Sequence, residues 1–177
     1  MQYPSSSRSL SSQSSLPART QTAAPAALAL DNQLCFALYS ASLAMTKLYK
    51  PVLAPLGLTY PQYLTLLALW QRDGQGVSEL GEKLFLDSGT LTPLLKRMET
   101  GGWLLRRRST DDERRVLVYL TTKGQALRIR ARKVPLALAG GTGLGFDQIA
   151  QLTQRLQRLR GQLQAASLPT TPDQDST

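Results

Sequence analysis

Leu86-Asp87-Ser88-Gly89-Thr90-Leu91-Thr92-Pro93-Leu94-Leu95-Lys96-Arg97-Met98-Glu99 is the stretch that decides the fold. Leu91, Leu94, Leu95 and Met98 recur at three- and four-residue intervals, which is one face of a helix. The spacing predicts a helix from about Ser88 to Thr100, ended by the pair Gly101-Gly102. Just upstream, Ser78 is expected to cap a short helix whose acids, Glu79 and Glu82, stand near the positive end of its dipole. Phe85 to Gly89 then reads as a tight turn between two helices. Downstream the period changes to two. Trp103 to Arg108 and Arg115 to Leu120 read as strands flanking Ser109-Thr110-Asp111-Asp112-Glu113, a hairpin with a charged tip.

Farther out the pattern stays helical. Leu34, Leu38, Met45, Leu48 and Val52 predict a helix from about Ala29 to Ala54, stopped by Pro55 and Gly57. Thr59-Tyr60-Pro61-Gln62 is a capping box with proline at the first helical position, so another helix starts there and runs to Asp73-Gly74. On the C-terminal side, Thr121 or Thr122 is expected to cap a basic helix reaching about Ala139. The run Gly140-Gly141-Thr142-Gly143-Leu144-Gly145 then breaks it as a hinge. With no strand before it and no Gly-Lys-Ser/Thr after it, that run is not a phosphate loop. Ile149, Leu152, Leu156, Leu159 and Leu163 form a last apolar stripe, suited to packing on a helix of a second subunit. Residues 1–27 hold eight serines, three prolines and no acid, and read as a disordered arm without the apolar core of a secretory signal. Residues 168–177 read as a disordered tail.

Composition excludes much chemistry. Of 177 residues none is histidine and one is cysteine. Serine–histidine and cysteine–histidine catalysis, thiolate-clustered metal sites and an intrachain disulfide are therefore not expected, and neither is any metal or cofactor. No run of 18 apolar residues marks a membrane span. Lys and Arg number 21 against 12 Asp and Glu, a net charge of +9. Residues 96–133 alone carry 12 basic and 4 acidic side chains, so nearly all of that excess falls on the end of one helix, the hairpin and the start of the next helix. Such a surface calls for a polyanion. An anionic membrane suits it poorly, because no large apolar face adjoins the charge.

Helix, short helix, turn, helix and basic hairpin is the order of a winged helix-turn-helix, mainly α with a small β-hairpin wing. Its second helix offers N-terminal residues to the major groove of double-stranded DNA, while the wing reaches the flanking minor groove or phosphates. The DNA-binding candidates are Asp87, Ser88, Thr90 and Thr92 at the helix start, then Lys96 and Arg97. Arg106, Arg107, Arg108, Arg114 and Arg115 belong to the wing. The reading head spans about 59–121 of a domain at 28–167. The helices at about 29–54 and 122–166 are left for dimerisation.

From about Leu30 to Pro135 the chain resembles the MarR family, and within it the organic-hydroperoxide-sensing repressors, the OhrR group. The resemblance is carried by Asp31-Asn32-Gln33-Leu34-Cys35-Phe36 with Tyr39, by Met45-Thr46-Lys47 and Tyr49-Lys50-Pro51, and by Thr59 to Leu64. It continues through Leu86 to Glu99, the wing signature Asp111-Asp112-Glu113-Arg114, and Leu120-Thr121 with Gly124. It implies a homodimer in the bacterial cytoplasm, bound to a palindromic operator with its two recognition helices about 34–36 Å apart. It places Cys35 at the peroxide-reactive cysteine, and gives Tyr49 and Tyr60, contributed across the dimer interface, the task of supporting its thiolate, with Tyr39 one turn away.

Alone, a cysteine between Leu34 and Phe36 reads as an inert core residue, and the tyrosines as core or interface aromatics. With Asp31 or Asn32 as the helix cap, however, Cys35 lies one turn in, where the helix dipole favours a thiolate. As the only cysteine it places the chain with the one-cysteine sensors, whose sulfenic acid is capped by a low-molecular-weight thiol or oxidised further. The resemblance thus implies a repressor that an organic hydroperoxide releases from DNA. Two other readings stay open at this stage. One is a regulator switched by a small aromatic ligand with Cys35 passive, and the other a one-cysteine thiol peroxidase.

Overall fold

A computed structural model describes residues 27–166; the serine-rich arm and the C-terminal tail expected from sequence lie outside the described residues. The chain divides into two compact units at Ser42, each taken by itself below. In the first, a 3-10 turn at Leu30–Asn32 leads through Gln33 into helix α1, Leu34–Leu53, which continues into the second unit. The helix begins after both Asp31 and Asn32. The Gln33 carbonyl accepts its first bond, from the Ala37 N–H at 3.0 Å, so the helix starts later than the apolar spacing suggests.

In the second unit a 3-10 turn at Ala54–Leu56 is followed by α2 (Tyr60–Gln71), β1 (Gln75–Gly76), α3 (Val77–Leu84) and α4 (Ser88–Thr100). Next come β2 (Leu104–Arg108), β3 (Val116–Leu120), α5 (Thr122–Ala131), α6 (Val134–Thr142) and α7 (Phe146–Ala165). The capping box holds: the Thr59 N–H donates to Gln62 Oε1 at 2.8 Å. Ser78, by contrast, sits one residue inside α3, whose cap is Gly76 in extended geometry. The turn after α3 needs a left-handed residue and uses Phe85, at φ 56°. Glycine is the usual signal for that conformation, so the sequence carries no mark of it.

The hairpin pairs antiparallel from Leu104 opposite Leu120 to Arg108 opposite Val116. A third strand, β1, goes beyond the hairpin that the sequence predicts. Its two residues pair with β3, Gln75 opposite Val118 and Gly76 opposite Leu117, a length too short for periodicity to register. The core lies where α2, α3 and α4 meet this sheet, with Leu66, Leu80, Leu91, Leu95, Met98, Leu104 and Val118 buried. Fully burying each leucine contributes about 1.5–3 kcal/mol. Every apolar position of the deciding stretch in α4 is therefore a core position.

The single basic helix expected to Ala139 is two. Pro135 has no N–H to give the Ala131 carbonyl and its ring crowds that turn, so α5 ends and α6 begins with the proline in its first turn. Gly140 and Gly141 do not break the chain but lie within α6, and the stop falls at Gly143, φ 68°. α7 has no buried residue; Leu152, Leu156 and Leu163 stand in solvent. Among the described residues no single helix is long and apolar enough to cross a membrane.

α5 is seated by backbone proximity. A Cβ on Gly124 would stand 2.0 Å from the Trp103 carbonyl oxygen, a clash that neither backbone can relieve by a rotamer change. Gly124→Ala should therefore cost about 3 kcal/mol and lower the thermal midpoint by several degrees, while Gly140→Ala, with nothing within 4 Å of the new methyl, should be neutral or stabilising. Equal midpoints for the two variants in a calorimetric scan would contradict this packing.

Candidate nucleic-acid interface and thiol site

α4 is the second helix of the helix-turn-helix, and its start is built by Asp87. One carboxylate oxygen accepts the Thr90 N–H at 2.9 Å and the other accepts the Thr90 hydroxyl at 2.9 Å. These two bonds hold the Asp87 carboxyl below its ordinary range. Asp87 is thus the N-cap, and the Thr90 side chain is turned back onto it. Ser88, Thr92, Lys96 and Arg97 are exposed on the same helix, while its apolar face is buried. Placement of the cap therefore decides which α4 side chains face outward.

The wing candidates divide. Arg107, Arg108, Arg114 and Arg115 are exposed, and among the described residues no carboxylate pairs with them. Arg106 is different: its guanidinium meets Glu99, Nη2 at 2.7 Å and Nε at 3.0 Å from Oε2. The Arg106 hydrogen bonds hold the Glu99 carboxyl low. Sequence reasoning names Arg106 but misses its pairing with Glu99, because a helix end and a strand seven residues on share no period. Thr92, Arg106, Arg114 and Arg115 line a groove of about 580 Å³ between α3, α4 and the wing. Two further interactions have no sequence signal either. Arg72 forms an ion pair with Glu79, and Asp73 Oδ1 accepts the Leu120 N–H at 2.9 Å, fastening the sheet to the end of α2.

In the first unit, Cys35 is the second residue of α1, and its free thiol is exposed. It is not a core cysteine. Tyr39 lies one turn on, also exposed, at the spacing that puts two side chains on one helix face. In the second unit, Tyr49 and Tyr60 stack with centroids 4.4 Å apart, and Tyr63 joins them 5.9 Å from Tyr49. Nothing in its helical spacing sets Tyr63 apart from any core aromatic. Tyr49 and Tyr60 also line an apolar cavity of about 330 Å³ with Met45, Leu138, Ile149 and Leu152. Burial, then its two tyrosine neighbours, pushes Tyr49 up to about 12; burial raises Tyr60 and Tyr63 as well. All three remain neutral O–H donors at any physiological pH.

That cluster has a signature in alkali. An unfolded tyrosine releases its proton near pH 10, while the folded cluster still holds it, so above that value the unfolded state binds fewer protons and stability falls as pH rises. Denaturant midpoints should be level below about pH 9 and drop steadily toward about pH 12, less steeply in Tyr49→Phe. An identical slope in that variant would show that Tyr49 is not buried in this way.

Known proteins share this geometry. The family model of the SarA/Rot transcriptional regulators matches residues 47–128. The chain is 49% identical over 130 residues to the organic hydroperoxide resistance transcriptional regulator of Bacillus subtilis (strain 168), covering 73% of this chain and 88% of that one. It is 48% identical over 136 residues to the HTH-type transcriptional regulator TtmR of Methylorubrum extorquens (strain PA1), covering 77% and 70%. Among solved structures, reduced AbfR bound to DNA is similar with a TM-score of 0.67 at 34% identity, covering 77% of this chain and 93% of that one; AbfR is a protein of Staphylococcus epidermidis. With the capped helix, the basic wing and these relatives together, the chain belongs to the MarR family of winged helix-turn-helix transcriptional regulators, alongside the organic hydroperoxide resistance regulators.

Proposed function

We propose that this regulator is a homodimeric repressor that an organic hydroperoxide releases from a palindromic operator by oxidising Cys35. The observation that carries the reading is the exposed free thiol on the first turn of α1, in a chain 49% identical to a regulator of organic hydroperoxide resistance. Exposed apolar side chains support the dimer: Leu34 and Leu43 on α1, and Leu152, Leu156 and Leu163 on α7.

The chemistry balances with one cysteine. The thiolate attacks the terminal, hydrogen-bearing peroxide oxygen; an S–O bond forms, the O–O bond breaks, sulfur becomes the sulfenic acid, and the departing alkoxide takes a proton from solvent to leave as the alcohol. A low-molecular-weight thiol then displaces water to give a mixed disulfide, and without it oxidation proceeds to sulfinic and sulfonic acids. Tyr39 lies one helical turn from Cys35 and serves it within the chain, while the family resemblance gives Tyr49 and Tyr60 the task of serving it from the partner subunit. A bulky adduct there displaces the tyrosines and moves the two reading heads off successive major grooves. In the reduced state Ser88, Thr90, Thr92, Lys96 and Arg97 face the DNA from α4, with Asp87 ordering the helix start, and Arg107, Arg108, Arg114 and Arg115 reach it from the wing.

The apolar cavity beside Tyr49 and Tyr60 favours a second reading, in which a small aromatic ligand is the switch and Cys35 is passive. Fluorescence anisotropy on a duplex from DNA flanking the chain's own gene separates the two. After an organic hydroperoxide and a small thiol, wild type should leave the duplex and Cys35→Ser should stay. Retention by both proteins sinks the peroxide reading in favour of the ligand, and many turnovers of hydroperoxide per subunit under excess thiol would favour a peroxidase. Separately, Arg114→Ala should weaken binding and flatten the plot of log affinity against log salt by about 0.9 for each phosphate that the arginine neutralises.

A further inference from the structure

β2 is an edge strand, for the sheet order is β1-β3-β2. Edge strands leave every second N–H without a ladder partner. At Arg106 that outward N–H is not left to water: it donates to Glu99 Oε1 at 3.0 Å. The same carboxylate takes the Arg106 guanidinium on its other oxygen through Nε and Nη2. One side chain in the last turn of the recognition helix thereby holds one wing residue by backbone and side chain together. The pair is largely covered, at 28% and 34% side-chain exposure, unlike the Arg72–Glu79 pair at 62% and 43%. A solvated ion pair contributes little, whereas a fork-like arginine–carboxylate pair sets geometry.

We infer that Glu99 and Arg106 are positioning residues for DNA binding: they lock the wing to the recognition helix at one angle, and Arg106, though basic and on the wing, is not a phosphate contact. The inference rests on the DNA-binding reading and sharpens it. Of the wing arginines, Arg107, Arg108, Arg114 and Arg115 supply the electrostatic attraction and Arg106 supplies the shape. Specific binding needs helix and wing engaged together, while non-specific binding needs only positive charge. Loss of the lock therefore falls on the specific complex. The carboxylate also keeps a cation out of the counterion balance, so freeing Arg106 adds charge to the DNA-facing surface while loosening its shape.

Lysine separates the two roles of Arg106. It keeps the charge and binds phosphate as a point cation, but it has no fork for Glu99. Arg106→Ala, Arg106→Lys and Glu99→Gln would be titrated by anisotropy against the operator duplex and a scrambled duplex of equal length over a salt series, with folding checked by circular dichroism. Wild type and Arg114→Ala serve as references. Arg106→Ala and Arg106→Lys should both lose about tenfold in specific affinity, equivalent to about 1.4 kcal/mol. Arg106→Ala should keep the wild-type salt slope. Glu99→Gln should lower specific and raise non-specific affinity, with a steeper slope. A slope in Arg106→Ala flattened as in Arg114→Ala, or full rescue by lysine, would overturn the inference and make Arg106 a phosphate contact. Should Arg106→Ala fail to fold, the lysine and glutamine variants carry the same contrast. Wild type binding both duplexes equally would instead remove the reading of sequence-specific operator binding on which the inference rests.

Discussion

The Trp103 carbonyl and Gly124 meet with no room for a side chain between them, and the working geometry of the reading head depends on that approach. Four further bonds gather at the same joint. Trp70 Nε1 donates to the Gly124 carbonyl at 3.0 Å, and the Thr121 hydroxyl donates to the Gly102 carbonyl at 2.6 Å while accepting the Gly124 N–H. Lys123 Nζ donates to the Gly101 carbonyl at 2.7 Å. The end of α4, the root of the wing, the last turn of α2 and the start of α5 are thus tied within a few residues. The start of α5 is therefore joined to the end of the recognition helix by short, directional bonds.

Charge is organised on that scaffold in two ways. Some acids fasten structure: Asp87 caps α4, Asp73 holds β3, and Glu99 holds the wing. The exposed wing arginines pair with no carboxylate among the described residues. Basic residues on one supersecondary unit are therefore not equivalent, for Arg106 is held by a carboxylate and its wing neighbours are exposed. Arg106 shows the difference, because Glu99 at the helix end takes both its guanidinium and its outward N–H at the strand edge.

The thiol and the tyrosines divide similarly. Cys35 is exposed at a helix start, in keeping with a reactive rather than a structural role. Tyr49, Tyr60 and Tyr63 form a partly desolvated cluster whose hydroxyls stay protonated, so they carry no charge and keep an O–H to donate. A neutral donor set of that kind suits a histidine-free sensor.

Periodicity alone located α2, α4 and the hairpin, because each buries one face on a core and that face must recur at 3.6 or 2 residues. The capping box at Thr59 and the glycine pair after Thr100 marked ends for the same local reason. The resemblance then singled out Cys35 and its tyrosines, which composition could not. What escaped was decided by contacts between elements distant in sequence. The two-residue strand β1 exists only because β3 offers it an edge. Phe85 takes a left-handed turn because α3 and α4 are pinned around it, and Glu99 meets Arg106 only once helix and wing are packed. Local pattern determined which segments are helix and strand, since that depends on neighbours in the chain; tertiary packing alone decided which charges are free and which are bound, since that depends on neighbours in space.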